Sequence, residues 1–294
     1  MRVFGLVYSP RREANSELAV KEILNQMPED WEKVMVHLRD LDIQPCRACY
    51  TCVPEGAHCV IQDDLDVIVR NIKHSDRVVI AFPAYIFTAP GPVKMLMDRL
   101  LSVTSDYPKW PHPYPSCVVV TPYGMAEWEG MVKEDAIALA NKLHLNVLAV
   151  QPMLATLPAD SVRGDNLETL HRLADLLIKG KKTEQPSSDF IECPVCSSTA
   201  LKIKPDGSVK CAVCAATGSL GRKNGGFIVD QTEEDSGGYF TERALDNHTQ
   251  YLTDKKVLFR NTKDIIKEIQ GGYKEQDYWW SGQHPDHEGK HPEK

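Results

Sequence analysis

The sequence predicts an α/β protein: a five-stranded parallel sheet with helices on both faces, followed by a small four-cysteine metal ribbon. Three observations predict it. Short, nearly continuous apolar runs alternate with helical periodicity up to about residue 180, the pattern of strands buried on both faces with single helices between them. The polar stretch Lys179-Gly-Lys-Lys-Thr-Glu-Gln-Pro-Ser-Ser188 then breaks that alternation and reads as a linker. Beyond it, Cys193-x2-Cys196 and Cys211-x2-Cys214 form two knuckles fourteen residues apart, which suits one tetrahedral thiolate site. The domains expected are a sheet domain over 1–178, a linker over 179–190, a ribbon over 191–230, and a helical extension with a polar tail over 231–294.

Each element has its own signal. Val3 to Tyr8 is the first apolar run, and Ser16 to Met27 follows with helical spacing at Leu18, Ala19, Ile23 and Leu24. Val34 to Leu38 is the second strand. Leu65 to Ile72 is a helix, with Asp63 and Asp64 placed to cap it, a better reading than a catalytic carboxylate pair. Arg77 to Phe82 is a doubly buried strand, and Val93 to Leu101 a helix behind Pro92. Cys117 to Thr121, Met131 to Leu143, Val147 to Val150 and Asn166 to Ile178 complete the strand–helix series, and a helical segment lies near Thr262 to Ile269. The end of the chain, with His284, His287 and His291 among prolines and glycine, reads as a solvated tail; Trp279 and Trp280 read as a docking pair.

Composition bounds the function. Over 294 residues the hydrophobic share is 42%, the charged share 26% and the net charge −7, which excludes the broad basic face that nucleic acid needs. No apolar run approaches the roughly 20 residues of a membrane span. The opening MRVFGLVYSP starts directly as a buried strand, without a leader pattern, so a cytoplasmic location is expected.

Three loops follow strands at the same sheet edge, where such folds hold their ligands. Ser9-Pro10-Arg11-Arg12-Glu13-Ala14-Asn15-Ser16 runs into a helix whose first N–H groups are free for an anion. Ser9, Asn15 and Ser16 add donors, and Arg11 or Arg12 can pair with a phosphate; helix capping by Asn15 or Ser16 is the competing reading. Pro83, Ala84, Tyr85, Ile86 and Phe87 form a stiff aromatic wall before Pro90-Gly91-Pro92, suited to main-chain bonds at the edge of a flat ring. Thr121, Tyr123, Gly124 and Met125 make the third loop, where glycine permits close backbone approach. No catalytic acid or base is required by this pattern.

Nine cysteines divide into two quartets and Cys117, a packed core thiol. Cys46-x2-Cys49-x2-Cys52-x6-Cys59 is too tight for a disulfide ladder and suits a metal or an iron–sulfur cluster. The second quartet suits Zn2+, with a rubredoxin-like Fe site as the alternative. Ser197 and Ala215 occupy the positions after each knuckle where glycine is usual.

The three loops together resemble the NADPH-dependent FMN reductase branch of the flavodoxin-like proteins over residues 1 to 178. The resemblance rests on Tyr8, Ser9, Pro10, Arg11, Asn15 and Ser16 in the first loop, Pro83 and Tyr85 in the second, and Lys94, Asp98 and Arg99 closing the helix after it. It implies FMN, with the phosphate on the first loop and the ring against the other two. The segment from Pro45 through Cys59 to Asp64 is similar to the compact motif of iron–sulfur flavoproteins, which implies a [4Fe–4S] cluster beside FMN. Related reductases carry a comparable segment that packs a loop or serves as redox thiols. The implied function is electron transfer from ferredoxin or NAD(P)H to an acceptor, in a homodimer or homotetramer. A cluster-free NAD(P)H-dependent flavin, quinone or nitro reductase is the second reading, and a non-catalytic carrier docking through the ribbon the third.

Overall fold

The computed structural model describes residues 1–53, 58–104, 110–182, 190–223, 226–230 and 242–273. The expected His-rich tail and Trp279-Trp280 lie outside these residues, as does most of the linker.

Five strands, β1 (Arg2–Val7), β2 (Glu32–His37), β3 (Arg77–Ala81), β4 (Ser116–Tyr123) and β5 (Asn146–Leu154), form one sheet. Their order is β2-β1-β3-β4-β5, and every pair is parallel. This is the flavodoxin-like order, with its switch point between β1 and β3. Side-chain alternation divides the core in two. Val3, Val79, Val118 and Val120 face α1 (Asn15–Asn25) and a later helix over Gly164–Lys179. Phe4, Leu6, Val78, Ile80 and Val119 face the helices over Leu65–Lys73, Gly91–Arg99 and Val132–Lys142. With a four-residue helix at Leu101–Thr104, these six are α1 to α6 in chain order. Each fully buried aliphatic side chain contributes about 1.5–3 kcal/mol. Gly5 sets the spacing of α1 on β1, since a Cβ there would stand 2.6 Å from Val20 Cγ1.

Cys117 is fully buried in β4, and burial pushes its thiol pKa up. β4 and β5 extend beyond the expected runs because Thr121, Pro122 and Tyr123 continue to pair with Pro152, Met153 and Leu154.

The second sheet is antiparallel, ordered β6 (Leu201–Ile203), β7 (Ser208–Cys211), β8 (Thr217–Lys223) and β9 (Gly226–Asp230). The chain divides into two compact units, Met1–Thr249 and Gln250–Lys294. The final helix, α7, runs from Glu242 to Gly271, far beyond the short segment near Thr262 to Ile269 that the sequence suggested. Its apolar residues are too dispersed among charges for a short window to register.

Candidate functional site

The first loop is built on a buried polar chain. Ser9 is buried, and its hydroxyl donates to the Arg11 carbonyl and sits 3.3 Å from His37 Nε2. His37 Nδ1 accepts the Arg39 N–H at 3.2 Å, so the proton of the neutral ring resides on Nε2 and is shared with Ser9. Burial, and then the Arg12 charge, pull the His37 pKa down. The Ser9 hydroxyl thus braces the loop from beneath. Arg12 pairs with Asp40 at 2.5 Å, whereas Arg11 is exposed and has no acidic partner among the described residues.

Asn15 and Ser16 do not cap α1. The N-cap is Ala14, without a side-chain bond, and Asn15 is the first helical residue. Its side chain reaches across the molecule instead: Nδ2 donates to the Ala155 and Leu157 carbonyls at 3.1 and 2.9 Å, and Oδ1 accepts the Ser161 N–H. The Asn15 and Ser16 main-chain N–H groups have no acceptor among the described residues, leaving the positive end of α1 open beside Arg11.

The second loop is a tight reversal. Tyr85 and Thr88 exchange both main-chain bonds at 2.9 and 3.2 Å, with Ile86 and Phe87 at φ +47° and +65°. A β-branched residue at positive φ is strained by about 1–3 kcal/mol. Two contacts hold it there: Asp135 Oδ2 accepts from Thr88 Oγ1 and the Ala89 N–H, and the Phe87 carbonyl accepts from Met131 N–H at 2.7 Å. Ile86 is consequently 87% exposed, with Tyr85 and Phe87 about half exposed beside it, and its N–H bonds to nothing among the described residues.

The loops adjoin one another. Tyr85 has its pKa raised by burial and then by Tyr8, with Arg11 opposing, so the first and second loops meet there. Ala84 N–H donates to the Pro122 carbonyl at 2.8 Å, and the Phe87 and Trp128 rings lie 5.1 Å apart, which joins the second loop to the third. Thr121 is fully buried and its Oγ1 has no hydrogen-bond partner among the described residues. Ala155 N–H bonds to the Tyr123 carbonyl, and Thr156 Oγ1 to that of Gly124; Met125 is exposed. Sequence reasoning missed Trp128, Asp135, His37 and the 155–161 segment, none of which carries a motif. The open α1 terminus fits a phosphate, and the exposed aromatic wall with its unspent N–H fits a flat ring.

The first cysteine quartet is anchored at both ends by carboxylates. Asp64 accepts the Asp42 N–H and Asp63 the Gln44 N–H, each at 2.8 Å. Asp63 also accepts the Leu65 N–H at 3.2 Å, while Asp64, the N-cap of α2, makes no side-chain cap bond. Asp63 forms an ion pair with Arg99, both side chains only 1% exposed. Arg99 donates further to the Gln44 carbonyl at 2.8 Å and to Cys59 Sγ at 3.3 Å, and its buried Nε has no partner among the described residues. A guanidinium aimed at a cysteine sulfur fits a thiolate site. Cys52 is pushed up by burial and by Cys59, Cys49 and Cys46, so the four sulfurs share one neighbourhood. They do not converge as ligands: among the described residues only the second quartet draws its sulfurs together.

Cys193, Cys196, Cys211 and Cys214 place their sulfurs within 4.8 Å of one another. Cys193 and Cys214 are 3.6 Å apart, and Cys196 and Cys211 3.7 Å. Thiolates about 2.3 Å from a tetrahedral ion stand roughly 3.8 Å from each other, so the geometry fits a single ion. Ser197 and Ala215 have φ +61° and +62°, which explains why glycine is usual there. The module is seated on α5: buried Glu134 Oε1 accepts from Ser198 Oγ, Thr199 N–H and Thr199 Oγ1 at 3.0–3.2 Å, and Lys133 pairs with Glu192 at 2.6 Å.

The fold is that of a flavodoxin-like protein, with three loops meeting at the switch edge of its sheet. The chain belongs to the NADPH-dependent FMN reductase family, which matches residues 1–148. It is 39% identical over 100 residues to an iron-sulfur flavoprotein of Methanocaldococcus jannaschii, covering 34% of this chain and 51% of that protein. It is 33% identical over 105 residues to one of Archaeoglobus fulgidus, covering 34% and 46%. The chain thus spans about half the length of these relatives. A flavone reductase shares the fold at a TM-score of 0.72 and 17% identity, over 95% of this chain and 99% of that one.

Proposed function

We propose that this chain is an FMN-dependent oxidoreductase that passes electrons from NAD(P)H or ferredoxin to an acceptor. The observation that carries the reading is the junction of three strand-tip loops beside the open amino terminus of α1, in a chain of this family. In this reading Arg11 and the N–H groups of Asn15 and Ser16 hold the phosphate. Ser9 fixes the loop, and Pro83 to Phe87 with Thr121 and Tyr123 to Met125 receive the ring. When bound, FMN supplies hydride acceptance and single-electron transfer, and the protein supplies orientation. Asp135 and Phe87 keep the aromatic loop in its strained turn before ligand arrives, which lowers the ordering cost of binding.

Cys46, Cys49, Cys52 and Cys59 would hold a [4Fe–4S] cluster, which supplies one-electron exchange; the Arg99 contact with Cys59 supports this. The separation of those four sulfurs supports a second reading, a cluster-free NAD(P)H-dependent reductase of flavins, quinones or nitro compounds. Anaerobic purification, an absorbance spectrum after FMN addition, and iron, sulfide and zinc analysis separate them. Yellow flavin absorbance with stoichiometric iron and sulfide that vanish in Cys49→Ser supports the cluster. Flavin absorbance and NADPH oxidation without iron support the second reading, and a colourless protein that takes up no FMN defeats both.

Gly130 offers a sharper test of the ring loop. It sits at φ +58°, and a Cβ there would fall on the backbone and Cβ of Phe87. Gly130→Ala is expected to displace Phe87 and to raise the FMN dissociation constant at least tenfold, about 1.4 kcal/mol. Quenching of flavin fluorescence measures it; an unchanged constant would remove this loop from the site.

A further inference from the structure

Glu17 is a buried carboxylate with no part in the contacts assigned to FMN. It stands in the first turn of α1, directly behind the first loop, and is only 3% exposed. Glutamate is almost never buried without a partner. A glutamate three places past an N-cap commonly turns back to the N–H of the capping residue. The cap here is Ala14, but Glu17 Oε2 reaches one residue further back and accepts the Glu13 N–H at 2.9 Å. The N–H groups of Ala14, Asn15 and Ser16 consequently keep no acceptor among the described residues.

Glu13 explains the longer reach. Its φ is +53°, in the left-handed region that a residue with a Cβ seldom holds unaided. The bond to Glu17 fixes the Glu13 N–H inward, and the Ser9 hydroxyl fixes the Arg11 carbonyl inward two residues earlier. The loop is thus tied through two backbone groups to side chains packed beneath it, while the Arg11 and Arg12 side chains are exposed.

Helix capping alone accounts for neither the burial of Glu17 nor its neighbours. Lys21 Nζ lies 2.6 Å from Oε1, and Nε2 of His37, itself buried and bonded to Ser9, lies 4.0 Å from Oε2. Burial raises the Glu17 pKa, but Lys21 and the Glu13 N–H outweigh it and hold the carboxyl below its usual range. A negative charge behind a site for a negative group opposes binding, and Lys21 offsets that charge. What the carboxylate supplies is the shape of the loop, set before any ligand arrives.

We propose, on the flavin reading of this site, that Glu17 is a positioning residue that sets its preference for a phosphorylated flavin. By holding Glu13 in its left-handed conformation, it keeps the loop open in front of the free N–H groups of α1. Riboflavin has no phosphate to place there and gains nothing from the loop.

The test is titration of the full-length chain with FMN and with riboflavin, followed by flavin fluorescence, for the natural sequence, Glu17→Ala and Glu17→Gln. Glu17→Ala is expected to raise the FMN dissociation constant at least tenfold and that of riboflavin less than twofold. Glu17→Gln keeps a side-chain oxygen for the Glu13 N–H and is expected to stay within about threefold of the natural FMN value. Unchanged riboflavin binding also shows that the variants are folded. A Glu17→Ala chain that binds FMN as tightly as the natural one overturns the proposal. So does an equal loss of both flavins, which would make Glu17 a support of the fold at large, or a Glu17→Gln chain no better than Glu17→Ala. A natural chain that binds neither flavin defeats the flavin reading itself, before any variant is compared, and the proposal with it.

Discussion

Arg99→Leu is expected to destabilise the sheet domain by about 3–5 kcal/mol, because it leaves the Asp63 carboxylate buried without a cation. The contrast lies within one turn of α3. Lys94 and Asp98 form an exposed i,i+4 pair, about half accessible on each side, and Asp98→Ala is worth at most about 1 kcal/mol. Arg99 instead ties the end of α3 to Gln44, Asp63 and Cys59. Urea unfolding midpoints with a common m-value measure the difference. An Arg99→Leu variant as stable as Asp98→Ala would show that the buried pair holds nothing.

The pH dependence of that loss has a definite sign. Burial raises the Asp63 pKa, but Arg99 and the N–H groups of Gln44 and Leu65 outweigh it and hold the carboxyl below its usual range. A depressed carboxylate stabilises the fold above its unfolded pKa and ceases to do so as pH falls through the folded value. The stability gap between the natural protein and Arg99→Leu should therefore be largest near neutrality and shrink in acid. If the cluster forms, the same substitution removes a donor to one of its sulfurs, so its reduction potential should fall, a readout that a purely structural role for Arg99 would not move.

The sequence carried the sheet and the ribbon for different reasons. Runs such as Val78-Val79-Ile80-Ala81 and Val118-Val119-Val120 are legible because strands covered on both faces have no polar side to interrupt them. The CxxC pairs are legible because ligand spacing is local. Asp63 illustrates what stays hidden. Beside Leu65 it reads as a cap, while its principal partner, Arg99, is 36 residues away on another helix. Asn15 likewise reads as a capping or phosphate-binding residue, yet it spends its amide on Ala155 and Leu157, 140 and 142 residues along the chain. The first cysteine quartet reverses the lesson. Its spacing is as local as that of the second, but its sulfurs are not drawn together, whereas two knuckles joined by the β6–β7 hairpin are.

That hairpin sets the other large expected effect. The core of the ribbon is Cys193, Cys211, Cys214 and Ala216, with Val195, Leu201 and Val213 partly buried against it, so it holds too little apolar surface to fold unaided. The four sulfurs lie close enough to share one ion, and in comparable sites the binding energy of about 10–16 kcal/mol is the folding energy. Cys214→Ser, or exhaustive chelation, is expected to abolish amide protection over Leu201–Cys211 while β1 to β5 keep theirs. The loss should propagate only as far as Glu134, whose carboxylate would surrender three donors and draw water to the outer face of α5. Hydrogen exchange by mass spectrometry reads both regions at once, and metal analysis should give one ion per chain at this site. Protection over Leu201–Cys211 that survives complete metal removal would mean that the ribbon is held by its seat on Glu134 and not by its sulfurs.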